Sequence, residues 1–317
     1  MLSVRIIVLF LSLSSVLLAQ GTVNRKVAVT MDDLPLQRIE KFSTEKLYGI
    51  TAKIIEKIKL VNAPVVGFVN GVKLQTEGKY DESKIDLLKM WLNAGLTLGN
   101  HTYAHKSANA VPVKEYEEDI LKGEAVLKET VENGGAELIY FRHPYLQTGR
   151  SLEVKNEIDN FLKDHNYIIV PVTIDNSEWI FASAYDKAVD SNSTGMMKKI
   201  GDEYLRYMKA KLDYWESQSN ALFGRNINHI LLIHANTLNS EYYDQLCGII
   251  KDSGYKFISV DEALSDPAYK SEDNFKGAGG ISWIHRWAIT QKKGKEFFGN
   301  EPVAPDFIMK YAGVESE

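Results

Sequence analysis

Two histidines four residues apart, His101 and His105, stand directly after an apolar run that ends in Gly99-Asn100. On a helical turn that spacing puts both imidazoles on one face, where a divalent first-row metal can take them together. A second apolar run, Val27-Ala28-Val29-Thr30-Met31, ends in the adjacent carboxylates Asp32-Asp33, followed by Leu34-Pro35. Neighbouring residues on extended chain point apart, so one carboxylate can bind a metal while the other faces a water, provided the turn at Pro35 bends both inward. Asp33 with His101 and His105 is a two-histidine, one-aspartate set with open positions. Such a set suits Zn2+, and Co2+, Mn2+, Ni2+ or Fe2+ fit the same donors. The competing reading is plainer: Asp and Pro punctuate turns, and two histidines can sit on a surface.

Two further segments carry reactive groups. Arg142, in Phe141-Arg142-His143-Pro144-Tyr145, has a fixed cationic fork that can orient Asp32 and hold it ionised at low pH. His234 closes the apolar run Ile230-Leu231-Leu232-Ile233 and can donate a proton. Asp175, in Thr173-Ile174-Asp175-Asn176-Ser177-Glu178-Trp179, can hydrogen-bond His234 and raise its basicity. An ordinary ion pair for Arg142 and a satisfied core histidine at 234 are the alternatives.

These groups need elements to place them. Short apolar runs alternate with segments of helical period, the pattern of repeated β-α units. The runs predict strands near Lys26–Met31, Pro64–Val69, Leu96–Gly99, Leu138–Arg142, Tyr167–Ile174, His229–His234 and Lys256–Val260. Between them, helices are expected at Thr44–Leu60, Glu82–Asn93, Val113–Glu132, Leu152–His165 and Ser240–Asp252. The expected fold is α/β, a distorted (β/α) barrel of about seven parallel strands with its polar residues at the C-terminal strand ends, where barrel enzymes do their chemistry. Two stretches break the period: an insert at 183–226 with a long helix around Met196–Glu216, and a tail at 265–317 expected to pack on the barrel. The tail's Gly279-Gly280-Ile281-Ser282-Trp283-Ile284-His285-Arg286-Trp287 reads as a hydrophobic clasp, with a sugar-binding platform as the alternative.

Composition narrows the classes. With 37 basic and 42 acidic residues among 317, the basic ones scattered, nucleic acid is not an expected partner. One cysteine, Cys247, and 33 aromatic residues (5 Trp, 16 Tyr, 12 Phe) exclude a disulfide scaffold and a disordered chain. Arg5, the apolar run Ile6–Leu18 and Ala19 read as a signal peptide over residues 1–19, so the chain is expected to be exported, periplasmic or secreted, without stable membrane insertion after cleavage. An uncleaved anchor is the alternative, since Leu17 suits the cleavage site poorly.

Five segments in this order resemble the polysaccharide deacetylase family, also called the NodB-homology group or carbohydrate esterase family 4. They are Thr30 to Pro35, His101 to His105, Arg142 to Tyr145, Asp175 to Trp179, and Leu232 to His234, within residues 26–264. The resemblance implies a NodB-like barrel over 20–264 that removes acetyl groups from an N- or O-acetylated glycan. It implies Asp33, His101 and His105 as metal ligands, Asp32 as base, Arg142 as its positioning residue, His234 as acid and Asp175 as the residue tuning it. It further implies that the backbone N–H of Tyr145 serves the oxyanion and that Trp179 lines the acetyl pocket. Leu34 replaces a glycine usual after the aspartates, and Glu178 stands where an aspartate often precedes the tryptophan. A relative hydrolysing another non-peptide C–N bond, or a catalytically silent glycan-binding protein, are the rival functions.

Overall fold

A computed structural model describes residues 25–317; the expected signal peptide at 1–19 lies outside the described residues. Among the described residues nine strands and ten α-helices follow in chain order. They begin with β1 (Arg25–Leu34), α1 (Thr44–Val61), β2 (Val65–Val69), a small hairpin of β3 (Gln75–Thr76) and β4 (Lys79–Tyr80), α2 (Glu82–Asn93) and β5 (Thr97–Asn100). Next come α3 (Val113–Asn133), β6 (Tyr140–Phe141), α4 (Leu152–Asp164), β7 (Ile168–Ile169), α5 (Glu178–Asp190) and α6 (Thr194–Phe223). The chain continues through β8 (Asn228–His234), α7 (Thr237–Asp252), β9 (Tyr255–Phe257), α8 (Val260–Leu264), α9 (Trp283–Thr290) and α10 (Asp306–Ala312). Among the described residues no helix is long and apolar enough to cross a membrane.

Seven strands form one parallel sheet in the order β7-β6-β5-β2-β1-β8, with β9 against the first residues of β1. The sheet is curled into a half-barrel, and its two ends approach where Ile174 bridges Leu231. Buried on both faces, the central strands need continuous apolar sequence, which Val27–Met31 and Ile230–Ile233 supply. Helix α1 shows the matching helical logic: Ser43 caps it by accepting from Lys46 N, and Leu47, Ile50, Ile54, Ile55 and Ile58 form its buried stripe.

The predicted strand Tyr167–Ile174 is the largest departure. Only Ile168–Ile169 pair with β6; Pro171 has no N–H to give a ladder, and beyond it Thr173 and Ile174 donate to Ile230 O, both at 3.0 Å, on the opposite edge. The run expected as one strand instead carries the chain across the barrel. The strand expected at Leu138–Arg142 is likewise reduced to Tyr140–Phe141. Helix α5 begins at Glu178, ahead of Ser183, and α6 runs from Thr194 to Phe223, longer than the helix expected at Met196–Glu216.

The tail is bonded to this frame. Trp283 N donates to Val172 O at 2.8 Å and Ser282 Oγ to Thr173 O at 2.9 Å, while the Arg286 guanidinium lies 4.2 Å over the Trp283 ring and 3.1 Å from the Asp273 carboxylate. Trp283 and Trp287 are 6% and 1% exposed, so neither ring offers an open face to a sugar. Burying such rings is what a clasp does. Trp287→Ala is therefore expected to cost about 3–5 kcal/mol, and a chain ending before Ser271 to melt lower and aggregate; thermal melting of both variants checks this.

Candidate metal and acid-base site

Asp32 and Asp33 come to one side of the sheet because β1 does not stay regular. Its register with β2 slips between Met31 and Leu34, and Asp33 adopts a left-handed backbone, φ 69°. That irregularity overcomes the alternation that would send neighbouring side chains to opposite faces. Asp33 Oδ1 lies 3.7 Å from His105 Nε2, and Asp32 Oδ2 lies 3.7 Å from His101 Nε2.

The two histidines do converge, but not on a helical turn. Residues 101–105 form an irregular loop with left-handed Thr102 (φ 64°) and His105 (φ 53°), and the rings meet edge to face with centroids 4.8 Å apart. Asp119 of α3 pins the loop: its carbonyl accepts from Tyr103 N at 3.0 Å and its carboxylate from Ala104 N at 3.0 and 3.2 Å. Gly123, one turn on, permits this approach, since a Cβ there would sit 2.7 Å from the carbonyl carbon of Thr102. His101 Nδ1 lies 2.8 Å from Arg142 O. A carbonyl only accepts, so Nδ1 carries the proton and Nε2 keeps its lone pair for a cation.

Ligand atoms of Asp33, His101 and His105 all lie within 4.8 Å of one another. Donor chemistry fits a divalent ion as well. Burial holds both imidazoles below their ordinary pKa, hence neutral. Burial alone would raise Asp33, but Lys73 and the nearby histidines outweigh it and hold that carboxyl well below the usual range. Lys73, which the sequence reading passed over, donates to Asp33 O at 3.0 Å and sits 3.4 Å from Asp33 Oδ1.

Arg142 is fully buried, with Nη2 donating to Thr30 Oγ1 at 2.9 Å and Nη1 3.6 Å from Asp32 Oδ2. The expected pairing with Asp32 is thus present in space, yet its effect on acidity is not the expected one. Burial pushes Asp32 up to about 6 against the lowering pull of Arg142, so the guanidinium moderates the shift without reversing it. Asp32 Oδ1 is buried and lacks a hydrogen-bond partner among the described residues.

Asp175 is not hydrogen-bonded to His234, contrary to expectation. It sits at the crossover from the β7 edge to the β8 edge, where its Oδ1 accepts from Asn176 N at 2.9 Å and its carbonyl accepts from Trp215 Nε1 at 2.7 Å. The partner of His234 is Glu178: Oε2 lies 2.8 Å from Nδ1, while Oε1 accepts from Asn236 at 2.6 Å and Asn239 at 2.7 Å. Glu178 opens α5, its own N–H donating to Asn176 Oδ1 at 3.0 Å, and a carboxylate is favoured at a helix N-terminus. The signal was visible, because Glu178 stands in the motif position that an aspartate often fills before Trp179. Glutamate's extra methylene lets it reach the histidine from the helix start. Burial pulls His234 down, but the Glu178 hydrogen bond and charge outweigh that and carry it up to about 9.

Asp32, Asp33, His101, His105, Asp175 and His234 line one cavity of about 400 Å³, together with Tyr145, Trp179 and Gly280. Tyr145 is left-handed (φ 56°), and its ring packs edge to face on His105 at 4.3 Å. Trp179 remains 37% exposed and offers a wall. Gly280, from the tail, is held so close to Tyr145 that a Cβ would lie 1.6 Å from its carbonyl oxygen. Gly280→Ala must displace the Tyr145 backbone, so a fall in turnover with metal content unchanged is the expected result, read by steady-state kinetics and metal analysis.

Residues 19–166 match the family model described as polysaccharide deacetylase. A peptidoglycan-N-acetylglucosamine deacetylase of Bacillus cereus is 29% identical over 159 residues, covering 50% of this chain and 48% of that protein; the chain thus spans about half the length of this curated relative. Among solved structures, a mutant of a Bacillus anthracis pseudoenzyme of carbohydrate esterase family 4 with restored enzymatic activity is similar, with TM-score 0.52 and 17% identity over 76% of this chain and 68% of that one. A further mutant of that pseudoenzyme gives TM-score 0.51 at 16% identity and the same coverage. At these identities the structural likeness speaks for the fold.

Proposed function

We propose that this chain, whose residues 19–166 match the polysaccharide deacetylase family model, is an exported, metal-dependent hydrolase removing acetyl groups from an N- or O-acetylated glycan. The observation that carries this reading is the convergence, in one cavity, of a three-residue ligand set with a buried carboxylate on one side and a carboxylate-bound histidine on the other. Asp33, His101 and His105 would hold the cation, zinc being the ion that suits two imidazoles and a carboxylate best. When bound, the cation supplies an acidified water and polarises the acetyl carbonyl.

The chain's own residues supply the rest. Asp32 takes the proton of the attacking water; a carboxyl raised toward neutrality is still mostly ionised at pH 7 and is a stronger base than an ordinary one. Arg142, through its 3.6 Å contact, keeps that carboxylate aimed while itself anchored on Thr30. The Tyr145 N–H donates to the oxyanion, and Trp179 walls the acetyl methyl. His234 has Nδ1 committed to Glu178, so Nε2 is the atom that hands a proton to the departing amine or alcohol. Asp175 has no part in that transfer.

Acetate release from acetylated chitooligosaccharide, peptidoglycan fragments and acetylxylan, each with and without chelator, tests the reading. Release from at least one substrate, lost on chelation and restored by zinc, is the expected result. A zinc-loaded protein inert on all three would overturn it.

A further inference from the structure

A second chamber, of about 420 Å³, adjoins the first, and Asp175, Asn176, Trp179 and Gly280 line both. Apart from Ser177, the walls that belong to it alone come from the long helix α6 and from the tail: Lys211, Trp215, Glu301, Val303 and Glu317 among them. The proposed chemistry uses none of these five. Lys211 is buried, its Nζ 2.5 Å from Glu301 Oε1. Glu301 is partly exposed to the chamber, so the pair sets a buried ammonium against a carboxylate that still faces the open space, and taking such an ammonium out of water gains little stability by itself. His285, behind Glu301, is held neutral because burial pulls it down to about 4. The charges lining the chamber are therefore three carboxylates, Asp175, Glu301 and Glu317, against one ammonium, Lys211. Its volume falls in the range of small-ligand sites, and Trp179, 37% exposed, is one of the residues that line both chambers.

We propose that this chamber is a subsite for the sugar next to the one being deacetylated, accepting a ring that offers hydroxyl or amino donors and rejecting one that carries a carboxylate. Excess acceptors satisfy hydroxyl and amino hydrogens, while a carboxylate brought into the same space meets like charge and leaves acceptors unpaired. The proposal rests on the deacetylase reading and adds a substrate preference to it.

The test compares the zinc-loaded wild type with Glu301→Gln and Val303→Trp on three probes. These are an aryl acetate ester too small to reach the chamber, the N-acetylglucosamine tetramer, and a tetramer of alternating N-acetylglucosamine and N-acetylmuramic acid, whose lactyl groups are carboxylates. Wild type is expected to favour the neutral tetramer by about tenfold in kcat/KM. Glu301→Gln and Val303→Trp should each lose about tenfold on that tetramer, with ester hydrolysis unchanged, and Glu301→Gln should narrow the preference against the carboxylated chain. Equal losses on ester and tetramer, no loss on either, or a wild type indifferent to the lactyl group would overturn the subsite while leaving the deacetylase reading intact. A wild type that hydrolyses none of the probes overturns both.

Discussion

Replacing His101 with alanine is expected to empty the cation site and stop acetate release, with zinc content falling from about one per chain to near zero. The size of the effect follows from the count of donors. Asp33, His101 and His105 are the three side chains whose ligand atoms converge within 4.8 Å, and two protein ligands hold a divalent ion poorly. A loss of affinity well above a hundredfold is expected, since even outer partners of ligands contribute about 10–100-fold. His101 is also the better choice of the two histidines for a clean result: its ring is fixed through Nδ1 on the Arg142 carbonyl, so its Nε2 is presented without rearrangement. His105→Ala should behave alike. Circular dichroism and melting separate a lost cation from a lost fold. Full activity in chelator-treated His101→Ala protein would sink the metal-dependent mechanism.

Much of this site was legible because its residues fall at strand ends, where apolar runs stop abruptly at charged or imidazole side chains. Asp33, His101, His105 and His234 line one cavity, and Arg142 lies behind it, 3.6 Å from Asp32. What periodicity cannot show is irregular backbone. The histidines converge through left-handed residues in a loop, and the two aspartates share a face only because β1 slips register at Asp33. The two imidazoles pair as their spacing implies, but through a loop and not through a helical turn. Pro171 was a readable warning that Tyr167–Ile174 is not one strand, and that error placed Asp175 at a strand end facing His234. Once the chain crosses to the other edge of the barrel, Glu178 at the head of α5 is the carboxylate that arrives. Contacts between elements remote in sequence, such as Lys73 with Asp33 or Lys211 with Glu301, left no local signal.

That exchange of Glu178 for Asp175 sets the pH dependence. Asp32 must be ionised to accept a proton, and its carboxyl stands at about 6, so activity should be lost as pH falls through that region. His234 must be protonated to give one. Its imidazole stands at about 9, so the donor persists through neutral pH and is lost as pH rises through about 9. The profile is therefore a bell, and because coupled groups share apparent values, variants must assign its limbs. Asp32→Asn should keep its zinc, since all three ligands remain, yet lose activity by about a hundredfold or more. Glu178→Gln removes the charge that holds His234 up and leaves burial to pull it down, so the alkaline limb should move to lower pH by about one unit or more. Asn236 and Asn239 still have an amide oxygen to bond in that variant, which favours a folded protein. Asp175→Asn should leave the alkaline limb in place, because no hydrogen bond joins Asp175 to His234. An unmoved limb in Glu178→Gln, or a moved one in Asp175→Asn, would show that a different carboxylate governs the proton donor.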